Sequence, residues 1–222
     1  MRDCEIKGNA QTNTTGGVGG GLAYRNAWTN AIVERCTIEG NEGFDGGGVH
    51  IECEGSSDDG VDHGSAVLSH CQIVGNTAAR DGGGISAVDN GNVKNCLVYD
   101  NVAGDDGGGA YIEEGAQLRN CTIADNAATD KGDGIRVNSP GAAYNTIIYF
   151  NGTENVSGSG TLANCCTVDP HFYNRPADDY TITGAPCKDV GNNTYVDWNQ
   201  DLDGSNRIVN GTVDIGAYEV QP

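Results

Sequence analysis

Two consecutive stretches of this chain are copies of one unit, and that repeat limits the fold more than any other feature. From Gly82 to Asp106 the sequence reads GGGISAVDNGNVKNCLVYDNVAGDD, and from Gly107 to Lys131 it reads GGGAYIEEGAQLRNCTIADNAATDK, equal in length. Each copy opens on Gly-Gly-Gly, carries Asn-Cys in its middle and places an Asn at the fifth position after the Cys. A unit this short cannot bury an apolar face alone, so the copies must stack on one another. The Cys anchor recurs at Cys4, Cys36, Cys71, Cys96 and Cys121, and Thr146 takes the same place. The Asn follows every time, as Asn9, Asn41, Asn76, Asn101, Asn126 and Asn151. The glycine block recurs at 19–21, 46–48, 82–84 and 107–109, and ends degraded as Gly132-Asp133-Gly134.

The local pattern within each unit is that of strands. Val93 to Val98 and Gln117 to Ile123 alternate apolar and polar residues, and GISAV, GAYI and GIRV read as second strands. Aromatic residues make up 6% of the chain and Gly supplies 35 of 222 positions, which excludes a thick globular core. Short strands without a helical period, two or three per coil of about 25 residues, predict an all-β chain folded as a parallel β-helix. The coils are expected over residues 1–160. The repeat fades from about Asn155, and residues 161–222, with Pro170, Pro176 and Pro186, are expected to form an irregular cap on the last coil.

Coils stacked at the strand spacing of about 4.8 Å align equivalent residues into ladders. Asn76, Asn101, Asn126 and Asn151 are therefore expected as an inward amide ladder that satisfies its own buried polar groups. Cys71, Cys96 and Cys121 are expected as stacked free thiols, since parallel side chains on neighbouring strands have poor disulfide geometry. Cys53, Cys165, Cys166 and Cys187 lie off that ladder and leave room for one bridge. CxxC metal spacing is absent, and no Lys-Ser/Thr follows the glycines as a phosphate loop would require.

A net charge of −19 argues against nucleic acid and anionic membranes as partners. Cations, calcium above all, and neutral surfaces suit it better. No run reaches the roughly 18 apolar residues of a membrane span. Met1 leads straight into a partial repeat, Cys4 to Asn9, with no apolar stretch of a signal peptide between them. We therefore expect the chain to be part of something longer. An uncapped first coil would expose open strand edges and invite end-to-end self-association.

The glycine block and the next anchor are evenly spaced in the regular coils, from Gly82 to Cys96, Gly107 to Cys121 and Gly132 to Thr146. The spacing is wider from Gly19 to Cys36 and wider still from Gly46 to Cys71. Two adjacent coils thus carry a short and a long insertion at one turn, which pairs a loop at 22–31 with a loop at 52–65. The pair holds Tyr24, Arg25 and Trp28 in one loop and Glu52, Glu54, Asp58, Asp59, Asp62 and His63 in the other. Irregularity, aromatics and titratable groups coincide there, and loops are where function concentrates. Tyr24 and Trp28 could stack on a sugar, with Glu52 and Glu54 beside them. Asp58, Asp59 and Asp62 could supply the two carboxyl groups of a glycoside hydrolase. Arg25 or His63 could act as the base of a polysaccharide lyase. Two further acidic features stand out. Asn199, Asp201 and Asp203, before Gly204, resemble the first half of a calcium loop, although Asn210 stands where the bidentate Glu would be. Asp45, Asp81 and Asp106, with Lys131 next in line, precede the glycine blocks and are expected as a solvated acidic edge.

The NCxIxxN and GGGI pattern resembles right-handed parallel β-helix proteins of the pectin-lyase-like superfamily, and also the repeats of polymorphic outer-membrane adhesins. Asp169-Pro170-His171-Phe172, Ala185-Pro186-Cys187-Lys188-Asp189-Val190-Gly191, Asp201-Leu202-Asp203-Gly204, Arg207 and Val213-Asp214-Ile215-Gly216-Ala217-Tyr218-Glu219 resemble the tail of bacterial choice-of-anchor Q proteins. The resemblance alone implies the right hand of the helix; it also implies a secreted or surface-attached bacterial protein and leaves the activity open. The reading that follows is a non-catalytic extracellular or surface module of a larger protein, either structural or making adhesion contacts with carbohydrate or a cell-surface glycan. Its alternative is a polysaccharide lyase or hydrolase at the loop pair. No cofactor is required by either reading; calcium is the one candidate.

Overall fold

The structure is a computed structural model that describes residues 1–11, 16, 18–25, 31–53 and 66–222. The chain is all-β, with parallel strands in long stacked sheets, as in a parallel β-solenoid. Among the described residues three sheets have six strands each. The first holds Glu5–Lys7, Thr37–Glu39, Gln72–Val74, Leu97–Tyr99, Thr122–Ala124 and Ile147–Ile148. The second holds Leu22–Arg25, Val49–Glu52, Ile85–Val88, Ala110–Ile112, Ile135–Val137 and Val156–Ser157. The third holds Ala31–Glu34, Ala66–Ser69, Asn92–Lys94, Gln117–Arg119, Ala142–Tyr144 and Thr161–Ala163. A fourth, of very short strands, runs through Glu42–Gly43, Thr77–Ala78, Val102–Ala103 and Ala127–Ala128.

The register follows the repeat: Asn92 lies beside Gln117, and Gln117 beside Ala142. Strand alternation then decides what is buried. Ile38, Ile73, Val98, Ile123 and Ile148 line the interior from the first sheet. Val93, Leu118 and Ala143 do so from the third, and Ile85, Ala110 and Ile135 from the second. Because the sheets are parallel and in register, inward apolar side chains stack on inward apolar side chains of the next layer.

Two corners explain the constant spacing within the repeat. At one, Arg35, His70, Asn95, Asn120 and Asn145 precede the anchor in the left-handed conformation, with φ between 46° and 55°. At the other, the Asn side chains form a continuous chain. Asn76 Nδ2 donates to Asn101 Oδ1 at 2.9 Å, Asn101 Nδ2 to Asn126 Oδ1 at 3.0 Å, and Asn126 Nδ2 to Asn151 Oδ1 at 2.9 Å. The line ends within its last layer, where Asn151 donates to Asn155 Oδ1. At the first corner the anchor thiols each donate to the carbonyl two positions back, as Cys71 does to Ser69 and Cys96 to Lys94. The glycines matter where layers touch through backbone. A Cβ at Gly108 would collide with the carbonyl oxygens of Ala127 and Asp133 in the next layer.

Residues 161–222 do not only sit above the last layer. Thr161–Ala163 still pairs within the third sheet, and a short hairpin, Phe172–Asn174 with Asp179–Ile182, follows it. The chain then runs back along the flank of the first sheet. Tyr180, Ala217 and Tyr218 pack on Leu97 and Ala124, while Ile182, Cys187 and Ile215 pack on Ile147 and Cys166. The left-handed corner residues grip it. Asn145 Nδ2 donates to Asn192 O, Asn120 Nδ2 to Tyr195 O, Asn95 Nδ2 to Gln200 O, and His70 Nε2 lies 3.1 Å from Gln200 O. Lys94 pairs with Asp197, and Arg175 with Asp125.

Candidate functional site

The outer face of the second sheet carries a polar row. The alternation in Val-His-Ile-Glu turns Val49 and Ile51 inward, and His50 and Glu52 outward. Register then aligns His50 with Ser86, Ser86 with Tyr111, and Tyr111 with Arg136. Alongside lies the corner that precedes each glycine block, where Asp45, Asp81 and Asp106 stack. This corner differs from the solvated edge expected from sequence. Asp81 accepts the Asp106 N–H at 3.2 Å and Asp106 accepts the Lys131 N–H at 3.1 Å, so the carboxylates bond the next layer's backbone. Asp45 is buried, and Arg80 grips it with Nε at 2.8 Å and Nη2 at 2.6 Å while reaching Asp81 at 3.2 Å.

Between the row and the corner lies a cleft of about 330 Å³, lined by Arg25, Asp45, His50, Glu52, Arg80, Asp81, Ser86, Tyr111 and Glu113 among others. Its two best-placed carboxyl groups differ in charge state. The Arg25 guanidinium, 2.5 Å from Glu52, holds the Glu52 carboxyl below its ordinary range. Burial pushes Asp81 up to about 6, against the pull of the Asp106 N–H and of Arg80. Burial also lowers His50, which favours the neutral imidazole. Its Nδ1 lies 3.2 Å from Ser86 Oγ, whereas Nε2, 3.5 Å from Glu52, has no hydrogen-bond partner among the described residues. Tyr111 donates to Glu113 at 2.8 Å and is raised above its ordinary value by burial first and by that carboxylate second. The cleft therefore offers hydrogen-bond acceptors, a neutral imidazole nitrogen and one carboxyl that keeps its proton into the mildly acidic range.

Of the residues expected at the loop pair, Arg25 and Glu52 meet on this face. Trp28, Glu54, Asp58, Asp59, Asp62 and His63 lie outside the described residues. Tyr24 lies away from this cleft. It follows Leu22 on the inward side of its strand and packs against the apolar interior, where it lines an apolar opening of about 290 Å³ with Val33, Val49 and Leu68. His50, Ser86, Tyr111 and Arg80 were not singled out from sequence. The outward positions of VHIE, GISAV, GAYI and GIRV, aligned by repeat, are the signal that marks the first three.

The Asn199–Asp203 turn is tied into the flanking segment through backbone donors. Asp201 is buried and its carboxylate is taken up by backbone donors: Oδ1 accepts from Asp203 and Ser205, and Oδ2 from Glu219. Arg207 N–H closes the turn on Asn199 O. Asp189, Asp214 and Glu219 bring carboxylate oxygens within 4.8 Å of one another. Backbone N–H groups of Asp189, Val220, Val209 and Asp214 point at Asp214 and Glu219, and the buried Arg207 supplies positive charge nearby. The Asp214 and Glu219 oxygens are thus already bonded by backbone donors.

No protein-family model, curated protein or solved structure matches this chain. Among the described residues no helix is long and apolar enough to cross a membrane.

Proposed function

We propose that the chain is an extracellular module that contacts a neutral glycan at the cleft over the second sheet. The observation that carries this reading is His50: a nearly buried imidazole lining the cleft, whose Nε2 lies 3.5 Å from Glu52 and has no hydrogen-bond partner among the described residues, with Asp81, Ser86 and Tyr111 lining the same cleft. A buried polar atom without a partner favours a ligand that supplies one, and sugar hydroxyls both donate and accept. The excess of carboxyl groups in the lining opposes a uronate polymer. The resemblance to right-handed, pectin-lyase-like β-helix proteins with a choice-of-anchor Q tail belongs to this proposal. So do the coil length read from the repeat, a bacterial surface location and end-to-end association through the apolar N-terminal opening.

One observation favours cleavage as the second reading. Asp81 retains a proton where Glu52 is ionised, and a glycosidase needs that division between acid and carboxylate. A panel of neutral and acidic polysaccharides separates the readings, scored for binding by calorimetry and for new reducing ends. Binding of a neutral polymer that His50→Ala abolishes, without new reducing ends, supports the module. Turnover lost in both Glu52→Gln and Asp81→Asn moves the protein to the hydrolases. Binding that survives His50→Ala would remove the cleft from the account.

A further inference from the structure

Cys166 and Cys187 stand apart from the other seven cysteines. The anchor thiols stack in register on successive layers, and each donates to its own chain two positions back. Cys166 and Cys187 instead come from two segments that run differently. Cys166 closes the top of the first sheet, where its N–H donates to Thr146 O and its carbonyl accepts from Ile148. Cys187 lies in the flanking segment, where its carbonyl accepts from Ile215. The two thiols meet in hydrogen-bond contact inside an apolar cluster with Ile147, Ile182 and Ile215. Both are buried, and the structure holds them as thiols. Among the described residues no third ligand atom gathers with the pair as a metal would require.

We propose that Cys166 and Cys187 are a disulfide site that fastens the flanking segment to the last layer of the sheet stack. The oxidant is a low-molecular-weight disulfide such as oxidised glutathione. The Cys166 thiolate attacks one sulfur of that disulfide and expels one small thiol, which leaves a mixed disulfide on Cys166. Cys187 then gives up its proton and attacks Cys166 Sγ, which forms the protein disulfide and expels the second small thiol. Two protein thiols are oxidised, one small disulfide is reduced to two thiols, and the two protons leave on those thiols. In the docked segment the contact between the two thiols holds their sulfurs together, so the mixed disulfide formed on either one is resolved by the other. Since both sulfurs are shielded once the segment is docked, exchange runs while it is still open.

The test uses the whole chain, equilibrated in a glutathione buffer, then alkylated in denaturant and weighed. Seven of the nine cysteines should react after oxidation, and all nine after reduction. Cleavage before aspartate should release residues 133–168 joined to 179–188. The first fragment also contains Cys165, so three variants complete the assignment. The link should persist in Cys165→Ser and vanish in Cys166→Ser and Cys187→Ser. Nine reactive cysteines after oxidation, a link between other fragments, or loss of the link in Cys165→Ser would overturn the proposal. If a Cys166 or Cys187 variant fails to fold, the fragment map of Cys165→Ser alone decides, because that fragment then holds only Cys166.

Discussion

Replacing Asn101 by Ala tests whether the amide chain holds the layers together. Asn101 is fully buried in the middle of the line. Its Nδ2 faces Asn126 Oδ1 at 3.0 Å, Ile73 O at 3.0 Å and Tyr99 O at 2.8 Å. Its Oδ1 accepts from the Asn76 backbone N–H and from Asn76 Nδ2, both at 2.9 Å. The amide has two hydrogens for three acceptors, so the side chain amounts to about four bonds. Each contributes a net of roughly 1 kcal/mol, and the Asn76 N–H left behind is an unpaired buried donor that costs about 1–3 kcal/mol. These terms sum to an expected loss of about 5–7 kcal/mol. Asn155 provides the internal control. It only accepts two bonds from Asn151, at 3.1 and 3.2 Å, on a half-exposed residue that water can replace. Asn155→Ala should therefore cost about 1 kcal/mol. Urea denaturation followed by circular dichroism measures both, with equal m values as the condition for comparison. A loss below about 1 kcal/mol for Asn101→Ala, or equal losses for the two variants, would refute the reasoning.

Three further outcomes follow from the same geometry. Gly108→Ala drives a Cβ into the Ala127 and Asp133 carbonyls and should cost more than about 3 kcal/mol, whereas Gly40→Ala, with φ at 61° but open space around it, should cost about 1–2 kcal/mol; thermal melts of the pair check the ratio. Arg207→Ala removes a buried side chain whose Nη2 bonds Asp214 O at 3.1 Å and Gly216 O at 2.6 Å, with an expected loss of about 3–5 kcal/mol and faster proteolysis after residue 189. Asp81 binds its proton more tightly folded than unfolded, with its value moved from 3.8 to about 6. Its contribution is complete below pH 3.8 and is lost as pH rises through about 6, so Asp81→Asn should flatten the fall of Tm across that window and leave the slope above it unchanged.

What could be read in advance depended on how far each feature repeats. The stacking of parallel strands was legible because Asn and Cys return at one offset through successive layers, and a period of that kind has few physical solutions. The left-handed corner was hidden in the same letters. Asn95, Asn120 and Asn145 read as mere neighbours of the anchor, yet they hold the flanking segment, because a corner side chain beside a buried strand points at whatever packs there. The cleft was half legible. Asp45 and Asp81 were visible as a line, but both pair with Arg80, which repeats nowhere and sits where neighbouring layers have Phe44, Asp105 and Asp130. His50 was invisible for a related reason: alternation sends it outward, where a histidine is ordinarily solvated. It is buried because Ser86, Glu52 and the acidic corner close around it, and that enclosure is set by three separate layers coming into register. Repetition therefore predicts the scaffold, and departures from repetition, such as Arg80 and His50, build the site on it.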